Sequence, residues 1–150
     1  MNTLVSNLER ELLAPFREVA ERLCKFGNVS ANVYSQSVGA LTEYQGHQIV
    51  IDCLLTNAPD DQPDNVSLSV DLQKLTSMPK INADVCWGHP SGYIEAEFSN
   101  ADLNVSDKVL ADLYSQLPHL YDVLIESVRR KKPSNWNLPH AQQALGADSP

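Results

Sequence analysis

Spacing divides the chain into three parts: a helical period up to Gly27, a period of two from Val29 to Ser99, and a second helical period beginning near Ser106. In the first part, Leu8, Leu12, Phe16, Val19, Ala20 and Leu23 fall on one helical face, and Glu and Arg fill the other. "SNLE" at 6–9 predicts a capping box, with Ser6 as N-cap and Glu9 reaching back. Gly27 fits the position just past a helix C-terminus. Pro15 interrupts the period. It either kinks this helix or opens a second one at its N1 position.

The middle part predicts five strands, over residues 29–38, 47–56, 66–72, 81–87 and 93–99. "NAPDDQPDN" at 57–65 and "TSMP" at 76–79 are breaks, and "GHPSG" at 88–92 is a hairpin connection. The connections are short, which predicts an antiparallel meander. In the third part Ser106 is the expected N-cap, with Asp107 in the first turn. Leu110, Leu113, Leu117, Leu120, Leu124 and Val128 form the stripe, widened by Val109, Tyr114, Tyr121 and Ile125. Pro118 should bend this helix. Residues 133–150, "PSNWNLPHAQQALGADSP", predict an extended or partly disordered tail beyond a single domain at 1–132.

Alternation sorts the strand side chains onto two faces. Ile49, Ile51, Cys53 and Leu55 share one side, joined by Val66, Leu68, Val70 and Leu72, by Ile81, Ala83, Val85 and Trp87, and by Ile94, Ala96 and Phe98. Two amphipathic helices need an apolar partner, and this face is the large one on offer. The expected fold is therefore α+β: a five-stranded antiparallel sheet with N- and C-terminal helices packed on one face, in the order αβββββα.

The other face carries Asn32, Tyr34, Gln36, Gln48, Val50, Asp52, Leu54, Ser67, Ser69, Asp71, Asn82, Asp84, Cys86, Tyr93, Glu95 and Glu97. Solvation accounts for such a face in an antiparallel sheet. A binding surface is the sharper reading. Tyr34, Val50, Leu54 and Tyr93 are its apolar anchors, and Asp52, Asp71, Asp84, Glu95 and Glu97 select a basic partner.

Charge supports that reading. The net charge is −8, and residues 27–107 hold only Lys74 and Lys80 as cations against a majority of carboxylates. Such a body repels phosphate backbones and argues against nucleic acid. "RRKK" at 129–132 reads as a helix C-terminus favoured by the dipole. No apolar run approaches membrane-spanning length, and "MNTLVSNLERELL" lacks the basic-then-apolar pattern of a signal peptide. Cys24, Cys53 and Cys86 are few, odd in number and far apart. Reduced thiols in a cytoplasmic setting are expected.

Candidate chemistry changes little. Cys86 and His89 have the spacing of a metal or nucleophile pair, beside Trp87. The remaining ligand types, His47 and Cys53, fall on the opposite face by parity, so no four-ligand zinc set forms. The carboxylates lie on an open face, where water screens them and no pocket desolvates an acid. His119 and His140 sit beside prolines without an implied partner. No phosphate loop, nucleophile elbow or metal-binding helix appears. No metal or cofactor is called for, and enzymatic activity is the less favoured class.

The leading expectation is a non-catalytic protein-binding or regulatory module: an acidic adaptor, chaperone-like or antitoxin-like. The partner is another protein of basic character, and a homodimer is the further option. The alternative is a small-ligand carrier or enzyme with a pocket between helices and sheet near Trp87 and His89, opened by bends at Pro15 and Pro118. The order helix, three strands, break, two strands, helix, together with the acidic charge, resembles small acidic bacterial secretion chaperones over residues 4–131. The break "QKLTSMP" at 73–79 is shorter than the helix that family uses in dimerisation.

Overall fold

The computed structural model describes residues 2–38, 44–56, 65–75, 78–88, 94–100 and 105–130. The tail at 133–150, His89 and Tyr93 lie outside the described residues. Seven elements follow in order: α1 (Asn2–Cys24), β1 (Val29–Val38), β2 (Tyr44–Leu55), β3 (Asn65–Leu75), β4 (Met78–Trp87), β5 (Ile94–Ser99) and α2 (Asp107–Arg130). The strands form one antiparallel sheet in the order β1-β2-β3-β4-β5. This is the α+β meander that the alternation predicts. α1 lies against β1 and β2, and α2 against β3, β4 and β5. Neither described helix is long and apolar enough to cross a membrane.

The core lies between helices and sheet. It takes Leu8, Leu12, Phe16, Val19 and Leu23 from α1, and Leu113, Leu117, Leu120, Val123, Leu124 and Val128 from α2. The sheet supplies the predicted inward set, including Ile51, Leu68, Ile81, Val85 and Trp87, all essentially inaccessible. Each fully buried large aliphatic or aromatic side chain contributes about 1.5–3 kcal/mol, so this layer dominates the stability. The two helices meet through Phe16 and Tyr121, whose rings make an edge-to-face contact at 5.9 Å and 86°.

Helix boundaries depart from expectation at one end. α1 begins at Asn2, so Ser6 lies inside the helix rather than capping it. Leu4 and Val5 pack on the core and extend the apolar stripe upstream. Pro15 lies within one helix and does not start another. At the far end Lys25, Phe26 and Gly27 donate to carbonyls three residues back, and Gly27 adopts φ 84°, the left-handed conformation of a helix stop. In α2 the expected cap is present, with Ser106 Oγ accepting from the Val109 amide at 3.3 Å.

The "TSMP" break also changes. Pairing of β3 with β4 runs on to Leu75↔Met78, leaving two residues between the strands. A hairpin this tight has no room for a dimerisation helix of the kind the secretion chaperones use. Pro79 is accommodated because β5 pairs only with residues 82–86 of β4. The Ile81 carbonyl accepts from Asn100, so odd positions of this part of β4 point toward β5. The donor that Pro79 lacks therefore falls where no strand needs it.

At the other end of β4, Gly88 donates to the Asn65 carbonyl at 2.6 Å. A Cβ on residue 88 would meet that same backbone oxygen at 2.8 Å. Gly88→Ala should therefore lower stability by about 1–3 kcal/mol, because backbone rather than a yielding side chain must move. Urea unfolding checks this, and an unchanged midpoint would contradict the close approach.

Candidate functional site

Among the described residues no helix covers the second face of the sheet. Register sets its side chains in rows across the strands. One row reads Tyr34, Val50, Ser69, Asp84 and Glu97. The row beside it reads Gln36, Gln48, Asp71, Asn82 and Ser99, and on the other side lie Asn32, Asp52, Ser67, Cys86 and Ile94. Leu54 sits one row further, opposite Ser30, and is 48% exposed. Tyr34, Val50, Asp52, Leu54, Asp71, Asp84 and Glu97 are thus brought onto the predicted face. Val50 is only 4% exposed there, so it offers a partner little surface.

Glu95 is the correction. It was expected on this open face, yet it is 0% exposed, and its carboxylate accepts a hydrogen bond from Ser127 Oγ of α2. The cause is a β-bulge. Val85 pairs with Ala96 but Cys86 pairs with Ile94, which leaves Glu95 as an extra residue in β5. The same shift sets Ile94, expected in the core, opposite the outward-facing Cys86. Ser127 was the available signal: a polar residue amid the apolar stripe of Leu120, Val123, Leu124 and Val128 requires a partner. Ser127 Oγ also lies 2.8 Å from the Val123 carbonyl of its own helix, a second acceptor for the same hydroxyl proton.

Three of the four outward carboxylates have side-chain donors. Asp52 accepts from Asn65 at 2.6 Å. Asp71 accepts from Gln48 at 2.7 Å and from Ser69 at 2.9 Å, and Gln36 extends that chain by donating to Gln48 at 3.0 Å. Glu97 accepts from Ser99 at 2.5 Å. Asp84 differs, since no described side chain donates to it. It stands directly opposite Glu97 and diagonal to Asp71. Burial first, then the charges of Asp71 and Glu97, push the Asp84 carboxyl up to about 6. Asp84, Asp71, Gln48, Gln73 and Asn82, with His47 and Leu72, line a cavity of about 360 Å³. That volume lies within the range of small binding sites.

Among the described residues, Cys53, Cys86 and His47 are not assembled into a reactive centre. Cys53 lies in the core, and its thiol is pushed up to about 12, chiefly by burial. Cys86 lies on the open face and its Sγ contacts the Trp87 carbonyl at 3.5 Å; burial and then Asp84 raise its pKa. Both thiols are therefore poor nucleophiles at neutral pH. His47 Nε2 and Ser35 Oγ are 2.5 Å apart on the helix side of the sheet, a contact the alternation alone did not single out. An activated serine also needs a group orienting its base. Among the described residues none bonds the second ring nitrogen of His47, so the pair reads as a tie between β1 and β2. No group of three or more metal-ligating residues is assembled among the described residues.

Trp87 is 1% exposed, and His89, the other residue of the expected pocket, lies outside the described residues. A cleft of about 260 Å³ lies between the helices, lined by Glu11, Leu12, Pro15, Tyr114, Pro118 and Tyr121 among others. In "RRKK", Arg129 and Arg130 both bond Glu126, in the last turns of α2. Compared with protein-family models, with curated proteins and with solved structures, the chain has no match.

Two outcomes test this geometry. Glu95→Lys buries an ammonium against α2 and should cost at least about 3 kcal/mol, whereas Glu97→Lys should leave the melting temperature nearly unchanged. Equal thermal denaturation of the two variants would contradict the bulge. Asp84 holds its proton more tightly when folded than the ordinary 3.8, so its contribution is present at low pH and lost as pH rises through about 6. Asp84→Asn should then stabilise by about 1 kcal/mol at pH 7.5, after allowance for solvent screening, and by almost nothing at pH 4. Melts at both pH values decide it.

Proposed function

We propose that this protein is a non-catalytic binding module that docks a basic segment of another protein on the open, acidic face of its sheet. The observation that carries the reading is Asp84. It is a half-buried carboxylate without a described side-chain donor, it faces Glu97, and it lines a concave site together with Asp71. Like charges directly opposite on neighbouring strands are destabilising. A lysine or arginine entering the cavity supplies the missing donor and relieves that repulsion together. Gln48, Gln73 and Asn82 add neutral hydrogen-bonding groups around it. Tyr34 and Leu54 add apolar contact toward β1.

The adaptor, chaperone-like and antitoxin-like variants of this reading share the same chemistry. The cleft between the helices favours a second reading, carriage of a small ligand, because it is apolar-walled and bounded by two tyrosines.

Fluorescence anisotropy with a short arginine-rich peptide tests the docking reading. Affinity should fall about tenfold in the double variant Asp71→Asn/Asp84→Asn, and should fall as pH drops through about 6. The variant Glu18→Gln/Glu21→Gln removes the same charge from the exposed side of α1 and should bind as the wild type does. Equal losses in both double variants would reduce the effect to net charge and overturn the reading. A small-molecule thermal shift abolished by Tyr114→Ala, with no peptide binding, would favour the cleft instead.

A further inference from the structure

The sheet has two edges, and they are built differently. β5 is six residues long, carries Glu95 and Glu97, and is distorted by the bulge. Short length, charge and bulging are the devices that keep a sheet edge from pairing with another chain. β1 has none of them. Its ten residues, VSANVYSQSV, hold no charge, no proline and no glycine, and its register with β2 is unbroken from Val29 to Val38.

The direction of its free backbone groups follows from one bond. Thr56 donates to the Asn28 carbonyl at 2.9 Å, so even positions of β1 point toward β2. Val29, Ala31, Val33, Ser35 and Ser37 therefore direct their N–H and C=O groups to the open side. Among the described residues no strand pairs with that side. The exposed large hydrophobics among the described residues are Phe26, 40% exposed, and Leu54, 48% exposed. Both flank the start of β1: Phe26 precedes it in the chain, and Leu54 pairs with Ser30.

We propose that β1 is a dimerisation edge that pairs antiparallel with β1 of a second copy, giving a continuous ten-stranded sheet. Charge limits where a second copy can dock. Two copies at −8 each repel, and an uncharged strand is where they can approach. An antiparallel pairing of identical strands is also self-complementary about a two-fold axis. Centred on Val33, it sets Val33 opposite its counterpart, Ala31 opposite Ser35 and Val29 opposite Ser37. Every outward-pointing residue of β1 then finds a partner, with about ten interchain hydrogen bonds. No like charges are brought opposite each other along the seam. The two acidic faces become one surface, but the pairing does not depend on what that surface binds.

Light scattering coupled to size exclusion, on the full chain at about 100 µM, should give twice 16.6 kDa. Ala31→Pro removes an outward donor that no intramolecular bond uses, and should halve that mass while the circular dichroism is retained. Hydrogen exchange on the wild type needs no variant: the amides of Ala31, Val33 and Ser35 should exchange at least about tenfold more slowly than those of an open edge. A monomeric wild type overturns the proposal, whether or not a foreign strand binds the edge. So does a dimer in which those amides exchange freely, which would place the contact elsewhere.

Discussion

Two amphipathic helices share a single apolar sheet face, and that constraint organises the molecule. A strand can present one set of side chains to the helices only by presenting the alternate set away from them. Once α1 covers β1 and β2, and α2 covers β3 to β5, the described residues supply no further helix for the opposite face. The magnitudes explain why the chain tolerates what lies there. Burying one large apolar side chain contributes about 1.5–3 kcal/mol, and the helix–sheet layer buries many. A like-charge pair on a partly solvated face costs about 1 kcal/mol or less. Asp84 opposite Glu97 is therefore a strain the fold carries easily, so stability alone does not require its removal.

β5 is where the constraint bends. One extra residue in a six-residue strand puts Glu95 against α2 and leaves Glu97 in water. The buried carboxylate is held by Ser127, itself in the apolar stripe of α2, so sheet and helix are tied by a polar contact inside an apolar layer. Losing Glu95 would leave Ser127 its contact with the Val123 carbonyl but would break this polar tie between sheet and helix. The same bulge and charges blunt the edge of β5, whereas β1, regular and neutral, has no such protection.

Faces and edges thus divide the surface by chemistry. The open face concentrates carboxylates around a concave site, and its proposed partner is a basic segment. The β1 edge offers unpaired backbone and flanking apolar side chains without charge, and its proposed partner is a second copy. The two sites use different forces. One is electrostatic attraction and weakens with salt; the other is backbone hydrogen bonding between like-charged copies, which salt does not weaken.

The five strands, the two helices and the two-faced character of the sheet were legible in the chain, because a period of two and a period of 3.6 are local properties. Val66, Leu68, Val70 and Leu72 declare their common face without reference to any other strand. Most of the acidic face followed by the same logic, from Asp52 to Glu97. Three features did not follow. The bulge at Glu95 depends on how β5 meets β4, and alternation reads the same on either side of it. The α1 start at Asn2 depends on Leu4 and Val5 finding a core to pack on. The position of Asp84, opposite one carboxylate and diagonal to another, exists only once register is set between strands far apart in sequence. Periodicity determines which side of its own element a residue occupies; pairing between elements decides what it faces, and that energy belongs to neither segment alone.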